Sequence, residues 1–530
     1  MLIKRPSDLT CLAKKSAIDF IKKNLTTNNR NDLKTLESCA KNNVVELRGF
    51  ARETINLRNF DWNEFGKDRS WWWQIQALPF LTWFISSYDL QTPEERETYY
   101  SYCLDCLNNW QTNSMSNKAS PLAWHDHAAA FRVRNIVNWA IFTSHAGLIP
   151  SDESARKNIL NLIEKHLKWL AESSNYSKHT NHGFDQSLIM YTIAMYFGEN
   201  YPKYIELGQR RLIDELDFAF TEQGVHKENS PGYQKFMLSR LNNLLSLSDL
   251  GDKKISTRAE EFTDKATAFL KAITMPNDLL PMIGDTRWDD RSESEVLSEH
   301  LIIHDYSASG YLIAKGKDST SKDFYLVFKN CHDSNYHRHD DDLSIIFYYD
   351  GKLVFGDGGL LSHNEKDEKR IFVRSPLAHC LPILPFKAER DRSKLVSTPT
   401  LRIDESGRFY GTSHMFGKKV ERSIDISNIR SGQIVITDSS STGVPINSNF
   451  LIPEKSSMRF KNSSVTLSFD SFEVRLDTGE KHLEASTCLG WNAHAPEFSA
   501  IISKHLGITE DVSRLWISTG EENIITVNFR

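Results

Sequence analysis

Two imidazoles, His337 and His339, stand two residues apart, with the carboxylates of Asp340, Asp341 and Asp342 directly behind them. An alternating apolar run, Leu343-Ser344-Ile345-Ile346-Phe347-Tyr348-Tyr349, follows at once. Residues i and i+2 of a strand share a face, so the spacing predicts that the two rings project together. Two neutral imidazoles on one side of a sheet suit metal binding or proton transfer. A solvated edge strand accounts for one of them but leaves the second without a reason. Three further segments hold polar groups that core packing has no use for. His179-Thr180-Asn181-His182-Gly183-Phe184-Asp185-Gln186 lies at a predicted helix start, where Asn181 suits the N-cap. Gly224–Gln234 is a polar loop containing Glu228 that enters a helix at Tyr233. Asp357 ends a predicted strand beside Gly358 and Gly359, with Arg374 and His379 behind it.

The elements that must position these groups change character along the chain. Up to about residue 300 the apolar period is helical, with amphipathic stretches near 125–146, 155–172, 183–197, 204–220, 234–249 and 258–273. Ser120-Pro121 reads as a helix start, which predicts that Trp124, His125, Asp126, His127 and Arg132 share one helix. Many helices on short polar connections imply a bundle, a solenoid or a closed ring of hairpins. After about residue 305 the period is two: Phe324–Lys329, Gln433–Thr437, Ser464–Phe469, Phe472–Leu476 and Ile524–Phe529 read as strands. Asp350-Gly351, between two apolar runs, predicts a tight primed hairpin turn. The expectation is therefore an α+β multidomain chain, helical over 1–304 and an antiparallel β-sandwich over 305–530.

At 530 residues, 40% apolar and 25% charged, the chain is globular and too long for one ordinary core. A net charge of −5 with no long basic run supports no nucleic-acid partner. No apolar stretch is long enough for a membrane span, so no membrane partner is expected. The 12 tryptophans are compatible with sugar stacking, but Trp71–Trp73 read mainly as core. Seven scattered cysteines do not form a disulfide framework, and Cys103 and Cys106 read as two buried thiols on a helix. The first residues lack an apolar export signal, which predicts a cytoplasmic location, or a periplasmic or secreted one if a signal was removed.

Taken in order, these segments resemble the heparinase II/III-like polysaccharide lyases. The resemblance rests on Asn181-His182-Gly183, Glu228-Asn229-Ser230-Pro231-Gly232-Tyr233, Leu280-Pro281-Met282-Ile283-Gly284-Asp285, the His-x-His-x-Asp-x-Leu-Ser pattern at 337–344, Asp357-Gly358-Gly359 and Arg374…His379. It implies an N-terminal incomplete α/α toroid followed by a C-terminal antiparallel β-sandwich, with the site between them. It also implies roles. Asn181 would hold the uronate carboxylate, with His182 beside it as base or charge partner. Tyr233 would be the acid, in some members also the base, and His337 the alternative base. His339, Asp357 and His379 would hold a zinc ion. Trp124, His125, Arg132, Asp185, Glu228 and Arg374 are candidate substrate contacts. In place of the family's usual Asn-Thr after the last histidine, this chain has Cys380-Leu381, with Cys380 read as a buried thiol.

The chemistry implied is β-elimination on an acidic polysaccharide, glycosaminoglycans first, leaving 4,5-unsaturated uronate ends. The C5 proton is acidified only by the neighbouring carboxylate, so that charge must be neutralised while a base removes the proton. A tyrosine phenol can protonate the leaving oxygen, but would need a positive neighbour to act as base. The rivals are a zinc-dependent glycan hydrolase and a carbohydrate-binding or capsule-assembly protein without turnover. The sequence does not disclose oligomeric state.

Overall fold

The structure, a computed structural model, describes residues 13–63, 66–117, 119–148, 153–330, 334, 336–384, 400–441, 443–479 and 483–530. The helical part runs Lys15–Leu25, Arg30–Asn42, Arg69–Gln76, Pro79–Ser86, Pro93–Asn113, Asp126–His145, Glu153–Ala171, Asn181–Phe197, Pro202–Ala219, Pro231–Leu245 and Lys254–Ile273. The apolar period therefore located the later six to within a few residues. Pro93–Asn113 shows the local reasons. Thr92 and Glu95 form a reciprocal capping box and Pro93 takes the first helical position. Tyr99, Tyr102, Cys103, Cys106 and Trp110 then bury one face, and both thiols are free. Trp71 and Trp72 are core, as expected, while Trp73 is half-buried with its ring 5.4 Å from that of His127.

One expected start is displaced. Ser120–Trp124 form a turn, with Leu122 at φ 56°, and the helix begins at Asp126. Proline at a first helical position had suggested an earlier start, but the left-handed residue after it breaks the helical path. Trp124 and His125 therefore precede the helix that carries His127 and Arg132.

From Ile302 onward the chain is mainly antiparallel strands. Ile302–Tyr306, Tyr311–Lys317, Asp323–Lys329, Ser344–Tyr349 and Lys352–Phe355 form a five-stranded meander. Its last hairpin turns at Asp350 (φ 43°) and Gly351 (φ 84°), the positive pair a primed turn requires. Both faces of this sheet are covered. Ile313, Tyr325, Val327, Ile346 and Tyr348 pack with Phe269, Ile273 and Leu280. The alternate residues Leu312, Leu326, Phe328, Ile345 and Phe347 pack with Ile436, Phe450, Val465 and Phe529. A strand buried on both sides reads as a continuous apolar run, which is what 343–349 shows. An eight-stranded antiparallel sheet sets Glu522–Phe529 between Gln433–Ser440 and Glu473–Asp477. A four-stranded sheet runs Glu484–Leu489, Ser513–Ser518, Asn447–Ile452, Pro382–Ile383.

The chain divides into two compact units, Met1–Phe218 with Asn243–Ala259, and Ala219–Asn242 with Glu260–Arg530. Residues 304 and 305 lie within the first strand, Ile302–Tyr306, and the segment carrying Tyr233 falls in the same compact unit as the strands. Among the described residues no helix is long and apolar enough to cross a membrane.

Candidate active site and candidate metal triad

Tyr233 is the third residue of Pro231–Leu245, a helix opened by proline at a position that needs no N–H donor. The turn before it is tied down on several sides. Ser230 Oγ pairs with Thr286 Oγ1 at 2.8 Å, and Thr286 Oγ1 accepts from the Gly232 N–H at 3.1 Å. Asn229, at φ 59°, donates to the carbonyls of Ser334 (2.9 Å) and Tyr336 (3.2 Å), fixing the loop that delivers His337. Gly284 sits where these chains meet: a Cβ there would lie 2.6 Å from Asn229 O and 2.7 Å from His337 O.

The result is a face-to-face stack of Tyr233 on His337, with centroids 3.6 Å apart and planes 18° apart. His337 Nδ1–H donates to Asp285 Oδ2 at 2.9 Å, and Nε2 lies 3.3 Å from Glu228 Oε2. Burial alone would lower the His337 pKa, but the two carboxylates outweigh it and raise it to about 9. Burial pushes the Tyr233 phenol up to about 12, and the charges of Asp285 and Glu228 add to this. Asp285 opposes burial by accepting from His337, His339 and Arg370, which hold its carboxyl well below the usual range. The Arg370 contact is bidentate, at 2.6 and 3.0 Å.

His337 and His339 do not share a strand face. The strand begins only at Ser344, and His337 is in a turn at φ 55°. Asp285 unites them instead, taking His337 on one oxygen and His339 Nε2–H on the other at 3.0 Å. Asp340, Asp341 and Asp342 are all buried. Asp341 pairs with buried Lys329, and Asp342 accepts from Arg338 (2.6 Å) and Ser413 (2.7 Å).

Beyond His339 lies a buried triad. His339, Asp357 and His379 place one ligand atom each within 4.8 Å of one another, and all three side chains have no solvent exposure. His379 Nδ1 lies 3.0 Å from Asp357 Oδ2, while His339 Nδ1 and His379 Nε2 have no hydrogen-bond partner among the described residues. Orphaned polar atoms at this depth are costly, and two imidazoles with a carboxylate are a fitting zinc donor set. Cys380 takes no part. Its thiol donates to Gly356 O at 3.3 Å, and burial pushes its pKa up to about 12.

The other unit holds a second polar cluster. Asp126 accepts from the Ser177 hydroxyl, from the His127 N–H at 2.6 Å, and from His182 Nδ1 at 3.1 Å; His125 Nδ1 lies 2.9 Å away. His127 Nε2 pairs with Asp185 at 2.8 Å, and its ring stacks on His182 at 4.2 Å. Asn181 is the first helical residue and not the cap, which is Thr180. Its amide therefore stays out of the capping bond, and no described residue engages it. Gly183 is required here, because a Cβ would stand 2.2 Å from Ser177 O.

Two candidate contacts take structural places. Arg132 has no exposure and spends its donors on His166 (3.0 Å), Gln76 O (2.8 Å) and Ala123 O (2.5 Å), so it cannot touch a ligand. Trp124 donates to Met115 O at 2.7 Å and packs on His166 and Trp169. His125 meets Arg69 at 2.9 Å, Glu228 serves His337, and Arg374 pairs with Glu365 and Arg338 O. Sequence reasoning passed over Asp285 as a hub, although it closed a quoted motif. It had no signal for Arg370, or for Arg422, which pairs with Asp438 at 2.6 Å and caps Leu343 O and Cys380 O.

A family model described as Heparinase II/III N-terminus matches residues 12–303, more than half of the chain. The chain belongs to the heparinase II/III family. No curated protein matches it. Among solved structures it is similar to one titled Heparinase III at TM-score 0.70 and 13% identity, covering 96% of this chain and 86% of that one. A heparan sulfate lyase from Pedobacter heparinus superposes at TM-score 0.68 and 12% identity, covering 99% and 85%. A heparinase III with methylated lysines gives 0.69 and 14%, covering 96% and 85%. The fold class is thus that of this family, an N-terminal incomplete α/α toroid and a C-terminal antiparallel β-sandwich.

Proposed function

We propose that this chain is a polysaccharide lyase acting on a uronic-acid-containing polymer, glycosaminoglycans first, by β-elimination. The observation that carries the reading is the Tyr233–His337 stack with a carboxylate at each ring nitrogen of His337. Elimination breaks the C5–H and C4–O4 bonds, forms the C4=C5 double bond, and delivers a proton to the leaving oxygen. Tyr233, protonated at neutral pH, is the donor for that oxygen. His337 has no uncommitted lone pair, which speaks against its being the base; it serves as a fixed positive partner where negative charge develops. Family resemblance assigns the uronate carboxylate to Asn181, and charge neutralisation or the base role to His182. His182 supports this with Nδ1 on Asp126, which leaves Nε2 as its working atom.

His339, Asp357 and His379 would hold a zinc ion. Bound there, it would supply positive charge to buried donors and cross-link the loops that carry them. The triad has no solvent exposure, which argues against the hydrolytic water that a zinc hydrolase needs at its substrate.

The test is incubation with a panel of uronic-acid polymers, following the ultraviolet absorbance of the conjugated unsaturated uronate. Rising absorbance on one polymer, lost in Tyr233→Phe, is expected. New reducing ends without that absorbance would overturn the lyase in favour of a hydrolase, and binding without cleavage would favour a non-catalytic protein.

A further inference from the structure

Arg287 follows directly on Thr286, whose hydroxyl holds Ser230 and Gly232 at the first turn of the Tyr233 helix. Thr286 O accepts from the Leu360 N–H at 3.1 Å. The carbonyls of Gly358 and Leu361 accept from the N–H groups of Ser503 (2.9 Å) and Gly507 (2.7 Å), and Leu360 O accepts from the Ser503 hydroxyl at 2.5 Å. Three segments, 284–288, 357–363 and 503–507, are thereby joined beside Tyr233 within one unit. Exposed on them are the basic side chains of Arg287 and His363. Lys504 is less free, being paired with Glu510 at 2.7 Å and lying 4.1 Å over Trp288.

The Arg287 guanidinium is exposed and, among the described residues, makes no ion pair or hydrogen bond. Its charge nevertheless reaches the Tyr233 phenol and the His363 ring. Three of the neighbouring carboxylates are engaged, and exposed Asp289, two residues on, makes no pair with the guanidinium. Asp285 holds His337, His339 and Arg370; Glu365 holds Arg374; Asp290 accepts the backbone N–H of Arg287 at 3.1 Å. An unpaired surface arginine is ordinarily just solvated. This one stands next to a proton donor, in a chain whose substrate is an anion, with a planar fork suited to two oxygens.

We propose that Arg287, with His363 beside it, is a subsite for an oxyanion carried by the substrate sugar, a carboxylate or a sulfate, next to the bond on which Tyr233 acts. The subsite rests on the lyase reading, and its test separates the two. Kinetics of Arg287→Ala, Arg287→Lys and the remote exposed Lys455→Ala are compared with the unaltered chain on the polymer it cleaves and on that polymer chemically desulfated. Losing a charge-assisted hydrogen bond to substrate raises KM about ten-fold or more. The expected result is that rise in Arg287→Ala with a smaller change in kcat, partial recovery in Arg287→Lys, and no change in Lys455→Ala. A rise on both forms identifies the carboxylate, and a rise on the sulfated form alone identifies the sulfate. A KM unchanged on every polymer overturns the subsite. If the unaltered chain cleaves nothing, the lyase reading fails. The subsite is then judged by the salt needed to elute each protein from immobilised heparin: a lower requirement for Arg287→Ala alone sustains it, and equal elution overturns it.

Discussion

Glu215 lies on Pro202–Ala219 with its side chain 2% exposed, where it accepts from the Tyr176 hydroxyl and from the His179 N–H at 3.0 Å. It therefore holds the turn that leads into Asn181 and His182. Burial pushes its carboxyl up from an ordinary 4.5 to about 7, even though those two donors pull it down. A group with a raised folded pKa favours the folded state while protonated. Its contribution is fully present below about pH 4.5 and is lost as pH rises through about 7. At 1.36 kcal/mol per pKa unit the loss is worth about 3 kcal/mol. Glu215→Gln keeps an oxygen acceptor for Tyr176 and His179 and cannot ionise. Urea unfolding of both proteins between about pH 5 and pH 8 isolates the effect, because every other titrating group is common to the pair. The variant should gain on the unaltered chain as pH rises, by about 2.5 kcal/mol across that window, with most of the gain below about pH 7. A difference that stays flat across that range, or runs the other way, would refute the assignment of a buried, proton-binding carboxyl.

Three further outcomes follow from the same structure. Arg422→Leu should destabilise the chain by about 3–5 kcal/mol, because it strands Asp438 in the core; Arg422→Leu with Asp438→Leu should recover much of the loss in thermal unfolding. Gly183→Ala forces a Cβ to within 2.2 Å of Ser177 O, so it should lower Tm and reduce turnover together, whereas Gly49→Ala, with open space but a backbone at φ 83°, should lower Tm through left-handed strain alone and leave turnover unchanged. Zinc should co-purify at about one ion per chain, be lost in His379→Ala by elemental analysis, and raise Tm when returned to chelated protein; a metal content unchanged in that variant would exclude the triad as its site.

The residues of the candidate site could be named from the sequence, and the structure decides which of them meet. Tyr233 lies against His337, and His339, Asp357 and His379 are gathered together, whereas Asn181 and His182 belong to the other unit. Helix spans came through well, since the 3.6-residue period is written in the side chains themselves. The pairing of His337 with His339 and the places of Arg132 and Trp124 were misjudged because their partners lie far along the chain. Two other errors were local and shared a cause. The start at Ser120 and the cap at Asn181 were read from residue type, yet Leu122 and Thr180 settled both through backbone angles and a single hydrogen bond.

What the sequence determined by itself was composition along the chain: which segments are helical, which are strands, and which residue types reach the site. Periodicity and residue chemistry are local properties, so they survive without neighbours. Tertiary structure alone decided partnership. Asp285 meets His337, His339 and Arg370 across 52, 54 and 85 residues of chain, and Arg422 reaches Cys380 O across 42. Those contacts decide which imidazole carries charge, which carboxylates stay ionised, and which arginines are spent on structure. Protonation and availability depend on burial and on long-range partners, and neither is a property of any stretch of sequence.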